Sequence, residues 1–182
     1  MVNTLWDNIF RREEERNDIN QILSRNYLFE TLSKKELKLL RDLIYVRTFH
    51  PGEIIFKQGD TGIGMYILAL GAVDIFVKDV QINEGEDGSV HITRLKSEDF
   101  FGELSLVEEK GHRTATAIAF EETTLIGFLK PSLMEIIKRN PVTGVKILGR
   151  LGEVLGRRLK ETADKATNLR REMQSLTKQE DK

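Results

Sequence analysis

Cysteine is absent from the chain. Its absence excludes disulfides, a thiolate nucleophile and cysteine-bound zinc, and removes any direct sign of redox compartment. No long hydrophobic run is present either. The longest apolar stretch, around residues 65–73, falls far short of the ~20 residues that span a bilayer. The opening segment from Met1 to Arg16 carries charges where a secretory signal needs its apolar core. An excess of one charge is lacking as well. With 28 Lys and Arg against 29 Asp and Glu, the balance argues for neither nucleic acid nor an anionic membrane as partner. His50, His91 and His112 share no metal-ligand spacing. Glu84, Glu86 and Asp87 alternate with glycines but lack the full oxygen-ligand loop of a calcium site, and read as an exposed hairpin turn. No Ser/His/Asp grouping or acid–base pair stands out. The expectation is a cytoplasmic protein with no catalytic residue, no metal and no cofactor.

A length of 182 residues, 40% of them hydrophobic, suits one domain with extensions. Leu5, Ile9, Ile19, Ile22 and Leu23 lie within a charged segment and suggest one or two amphipathic helices. Ser33 and Glu36 have the spacing of a capping box, opening a helix expected to run through Ile44. From Tyr45 to Leu129 short β-rich runs (54–56, 65–70, 73–77, 90–95, 115–120 and 123–129) alternate with glycine turns. This texture reads as an all-β barrel or roll. Helical patterning returns after Pro131, and Pro141 opens a second helix in which no further proline occurs. Gly144, Gly149, Gly152 and Gly156 lie in that helix, each at a cost of roughly 1 kcal/mol relative to alanine. Close packing is the favoured explanation for them; a marginal helix that a ligand can reposition is the other, and the two are compatible.

The chemistry concentrates in Phe101-Gly102-Glu103-Leu104-Ser105-Leu106, followed by Arg113-Thr114-Ala115-Thr116. Gly102 lets the backbone approach a ligand closely. A helical turn over 103–107 would present the free amides of Leu104 and Ser105 to an anion. Arg113 has a planar guanidinium able to hold two phosphate oxygens at once. Glu103, ionised and acceptor-only, suits a sugar hydroxyl. A bare structural salt bridge between Glu103 and Arg113 is the competing reading, disfavoured because burying such a pair without a ligand is costly.

This stretch resembles the phosphate-binding cassette of cyclic-nucleotide-binding domains, as in catabolite activator proteins and protein kinase A regulatory subunits. The upstream run from Ile55 to Gly71, with spaced glycines before an apolar strand, is similar to the same family independently. The resemblance covers residues 28–160. It departs from the family's pattern at Glu98, where glycine is usual, and at Phe56, where a smaller aliphatic residue is usual. What it implies is an α+β fold: a β-roll or jelly-roll-like barrel of about eight strands, with N-terminal helices and a long C-terminal helix. The expected division is an N-terminal extension (1–27), the roll with flanking helices (28–141) and a C-terminal helix (142–182).

The resemblance also implies the ligand, cAMP or cGMP. Glu103 would take the ribose hydroxyl, Arg113 the cyclic phosphate, and the backbone of Gly102, Glu103, Leu104 and Ser105 the remaining phosphate oxygens. Thr114 would add a hydroxyl at the phosphate–base boundary, and Ile92 lies on the strand expected to face the base. The 142–160 helix would be a lid, with a residue between Leu148 and Leu155 touching the purine. A protein effector of unknown identity is expected, and a homodimer contact along the C-terminal helix is open, although its heptad register slips at Arg158 or Lys165. Two alternatives stand beside the receptor reading. One is a scaffold that keeps the fold without using nucleotide. The other is a DNA-binding regulator using Arg157, Arg158, Lys160, Arg170 and Arg171. The second is disfavoured because residues beyond Lys160 read as continued helix with interspersed acids and no recognition-helix turn.

Overall fold

A computed structural model of the chain describes residues 19–78, 88–109 and 111–180, with side chains in the last helix up to residue 176. Leu5, Ile9 and the acidic turn at Glu84, Glu86 and Asp87 lie outside the described residues.

The first described residues, 19–25, are helical (α1), and their apolar Leu23 is fully buried. Helix α2 (Lys34–Arg41) begins with the expected capping box: the Ser33 hydroxyl accepts from the Glu36 amide, and the Glu36 carboxylate accepts from the Ser33 amide at 2.6 Å. The helix stops at Arg41 rather than Ile44. Residues 44–49 (Ile-Tyr-Val-Arg-Thr-Phe) are rich in β-branched and aromatic side chains and form a strand instead, β1 (Ile44–Phe49), paired along its whole length with β8 (Thr123–Leu129). Glu36 then does a second job. Its carboxylate also accepts from the Thr143 hydroxyl at 3.0 Å and from Lys146 Nζ at 2.8 and 2.9 Å, tying α2 to the first turns of the C-terminal helix.

Between these come β2 (Ile54–Phe56), β3 (Gly64–Leu70), β4 (Ala72–Lys78), β5 (Ser89–Lys96), β6 (Phe100–Phe101), the short helix α3 (Leu104–Val107) and β7 (Thr116–Ala119). Two four-stranded antiparallel sheets result, ordered β1-β8-β3-β6 and β2-β7-β4-β5. They form a roll of two sheets, not a closed barrel. The central strands β3 and β8 of the first sheet are buried on both faces, so their alternating side chains enter two different cores. Met65, Ile67, Ile126 and Phe128 pack on the helical side with Leu23, Phe29 and Leu40. Leu68 and Leu125 point into the roll with Phe49, Val73, Phe101, Ala117 and Ala119.

Glu98 adopts φ +79°, the left-handed conformation that glycine accepts most easily. Its amide donates to Leu68 O at 2.9 Å, so the tight turn into β6 keeps its shape without glycine. After β8, α4 (Lys130–Arg139) and α5 (Pro141–Glu180) follow, each with proline in the first turn. Ile147, Leu151 and Val154 of α5 belong to the helical-side core, whereas residues 160–176 are exposed throughout. The glycines divide likewise. A Cβ on Gly144 would sit 2.5 Å from Ile137 Cγ1, so close packing explains that one; Gly149, Gly152 and Gly156 face open space, and packing within the chain does not explain them. Among the described residues, no helix is long and apolar enough to cross a membrane.

Candidate functional site

Strand β6 pairs with Tyr66 and Ile67 and ends at Gly102, where the chain turns with φ +76°. A side chain is excluded there twice over. The conformation favours glycine, and a Cβ would lie 2.3 Å from Arg113 Nη1. Glu103 occupies the N-cap position of α3, and the loop after α3 brings Arg113 back beneath it. The backbone of Arg113 is clamped on both sides: its amide donates to Asp60 O, and its carbonyl accepts from the Gly59 amide, both at 2.8 Å.

Arg113 is buried, with 7% of the residue exposed. Nη1 donates to Ser105 Oγ at 3.0 Å and to Gly102 O at 3.2 Å, and Nη2 donates to Gly64 O at 2.8 Å. Its carbon lies 4.1 Å from the centre of the Phe56 ring, which is itself stacked on Tyr66. Every one of these partners is neutral, and Arg113 makes no ion pair among the described residues. Burial therefore holds its pKa below the ordinary arginine value, against the pull of nearby Tyr66, Tyr45, Asp60 and Glu103. A buried cation without a counter-ion is an arrangement that an anion would relieve.

Glu103 is 4% exposed, and it does not pair with Arg113. Its Oε1 accepts from Arg158 Nη1 at 2.5 Å, while Arg158 Nη2 donates to Phe100 O at 3.1 Å. Arg158 comes from α5. Between these groups lies a cavity of about 660 Å³, a size ordinary for small-molecule sites. Gly102, Glu103, Ser105, Arg113 and Thr114 form its polar end, with Leu104 and His112 beside them. Ile75, Thr93 and Leu95 form one wall, and Leu155, Arg158, Leu159 and Thr162 of α5 close it.

Six of the seven residues expected at a site thus border one cavity; Ile92 does not. It is 56% exposed, and its neighbours Thr93 and Leu95 line the cavity instead. Alternation along β5 accounts for this: Thr93 and Leu95 face the cavity, so Ile92 points to the opposite side, where a register shift between Ile75 and Phe76 leaves it without a partner on β4. Ser105 also departs from expectation, because its amide is not free: it donates to Gly102 O at 3.2 Å. The closing face of α5 lies further along than expected. Leu151 is buried in the core, Leu148 stands outside the cavity, and only Leu155 of that range lines it.

Arg158, Leu159, Thr162 and Phe56 were missed as site residues. For Arg158 a signal existed. It falls at helical spacing after Leu151 and Leu155, so a charge interrupts the apolar stripe on the face that turns inward. Phe56 is more than a packing change, since its ring carries the Arg113 guanidinium. The supposed basic patch is also reduced, with Arg158 turned onto Glu103 and Arg157 lying 5.0 Å over the Tyr27 ring.

Fold and cavity together place the molecule in the class of β-roll domains with a small-molecule pocket beneath a C-terminal helix. The sequence model of the cyclic nucleotide-binding domain matches residues 46–140, and the chain belongs to that family. It is 32% identical over 134 residues to the cyclic AMP receptor protein of Thermus thermophilus, a match covering 74% of this chain and 57% of that protein. It is 28% identical over 158 residues to the cGMP-dependent protein kinase of Plasmodium berghei, covering 77% of this chain and 17% of the kinase. The crystal structure of the Thermus thermophilus catabolite activator protein superposes with a TM-score of 0.68 at 29% identity, covering 79% of this chain and 63% of that one. This chain therefore spans under two thirds of the length of each of these relatives.

Proposed function

We propose that the chain is a non-catalytic receptor that binds cAMP or cGMP reversibly and signals by movement of its C-terminal helix. The observation that carries this reading is the buried Arg113 guanidinium, held only by neutral groups at one end of a cavity with Glu103 at the same end. A cyclic phosphate supplies the missing negative charge, with Arg113 and Ser105 as donors. Glu103 keeps an oxygen for the ribose hydroxyl while its other oxygen holds Arg158. Thr114 stands where phosphate and base meet, and the base lies between the β5 wall and Leu155, Leu159 and Thr162.

Because Arg158 grips the same carboxylate that would hold the sugar, occupancy of the cavity changes a polar link between cassette and helix. That is the route by which binding would move α5 about its anchored first turns. In this reading residues 28–141 are the binding unit, residues 1–27 an N-terminal extension, and 142–182 the lid and contact arm. Output passes to a protein effector in the cytoplasm, or to a second copy along α5, where Leu159, Leu169, Met173 and Leu176 are exposed.

Calorimetric titration with cAMP, then cGMP, tests the assignment. Binding at micromolar affinity or tighter is expected, and Arg113→Leu should weaken it about a hundredfold or more, since each charge-assisted hydrogen bond to the phosphate is worth roughly 1.5–3 kcal/mol. A folded Arg113→Leu variant that binds normally would overturn the reading, as would the absence of binding to both nucleotides.

A further inference from the structure

His112 borders the cavity immediately before Arg113, and its position is set by more than a loop. Its backbone bridges to Thr61, and the flanking Gly111 carbonyl accepts from the Gly62 amide at 2.9 Å. The ring is oriented too. Nδ1 lies 2.9 Å from the Gly59 carbonyl, which can only accept, so Nδ1 carries the proton in the neutral ring. Nε2 is left without a hydrogen-bond partner among the described residues. In the neutral ring it is a bare acceptor, which repels an anionic oxygen; in the protonated ring it is a charged donor.

We propose that His112 is a second, pH-graded anion-binding residue at the phosphate end of the cavity, so that the protein holds its ligand more tightly as the solution becomes acidic. This rests on the cyclic-nucleotide reading above. The ligand contributes no slope of its own, because a cyclic phosphodiester is a monoanion throughout the neutral range, and Arg113 stays charged there. The charged groups that share the cavity lining with it are Glu103, Arg113 and Arg158, while Asp60 in the preceding loop and Glu108 after α3 lie against the backbone on either side of it. The acids among them do not bond the imidazole among the described residues. Asp60 Oδ2 accepts from the Lys57 amide at 2.8 Å, and Glu103 is held by Arg158. His112 is solvent-exposed, so its contribution is that of a screened ion pair.

The test is calorimetric affinity for cAMP, and for cGMP, from pH 5.5 to 8 at fixed ionic strength. Wild type is compared with His112→Gln and with His91→Gln, a histidine outside the cavity. Wild type and His91→Gln should bind about three- to fivefold tighter at the acidic end, and His112→Gln should be flat at the alkaline value with an unchanged thermal melt. A flat wild-type profile with binding still dependent on Arg113 would overturn the His112 assignment alone, as would a slope that survives in His112→Gln. Absence of binding at every pH would overturn both this assignment and the reading beneath it.

Discussion

The two halves of α5 are one continuous helix with opposite sources of support. From Pro141 to Leu155 the helix is bolted to the domain: Ile147, Leu151 and Val154 lie in the core, Lys146 and Thr143 hold Glu36, and Arg150 reaches Glu30 and Tyr27. From Lys160 onwards every described side chain is exposed, and only local i,i+4 geometry and propensity sustain the turns. Most helical stability in proteins comes from packing an apolar face, which these exposed turns do not do within the chain. Arg158 sits at the junction, the last residue of α5 to hold the roll by a hydrogen bond among those described. One continuous helix is thus anchored by packing on one side and exposed on the other, with the candidate site placed where the two meet.

Core truncation should separate the halves most sharply. Leu151→Ala is expected to lower unfolding stability by about 2–5 kcal/mol, while Leu169→Ala in the outer half changes it by less than about 0.5 kcal/mol. Denaturant titration of both variants checks this, and equal losses would erase the distinction.

Acid should loosen the anchored half. Burial alone would raise the Glu36 pKa, but hydrogen bonds from Lys146, from the Ser33 amide and hydroxyl and from Thr143 outweigh it and lower the pKa to about 2. Since the folded value lies below the ordinary 4.5, this stabilisation is complete above that value and disappears as pH falls towards 2. Thermal melts should show an acid-side decline that is shallower in Lys146→Met, where the largest compensating bond is gone.

At the junction, Arg158→Leu should weaken nucleotide affinity about tenfold by releasing Glu103 from the helix, in line with a charge-assisted bond of roughly 1.5 kcal/mol. Amide exchange in residues 155–165 should rise in the same variant, and unchanged exchange would mean the contact is not what holds the helix down. The smallest expected effects are at the glycines. Gly149→Ala should stabilise by about 0.5–1 kcal/mol, because the added methyl meets nothing. Gly144→Ala should destabilise, because Ile137 stands in the way.

How far the site was legible can be argued from particular residues. Gly102, Glu103, Ser105, Arg113 and Thr114 could be grouped at one cavity because their positions depend on short-range order: a left-handed turn, a single helical turn, and a loop that closes on itself. Ile92 was expected at the base because its strand was, and that strand does wall the cavity; which of its two faces turns inward, that of Thr93 and Leu95, is set by how β5 pairs with β4. Glu103 was expected either to face a ligand or to pair with Arg113. Its actual partner lies 55 residues away in sequence, and local spacing says nothing about which distant side chain arrives.

The sequence by itself determined the roll, the capped α2, the cassette and the long final helix, because those follow from hydrophobic periodicity, turn chemistry and capping, which act between near neighbours. Only the tertiary structure decided which face of α5 turns inward, that Arg158 rather than Arg113 engages Glu103, that Phe56 carries the buried guanidinium, and that Glu36 links the first helices to the last. Each of those is a meeting of groups from separate elements. Its outcome depends on how two sheets and several helices share a limited interior, which no single stretch of chain encodes.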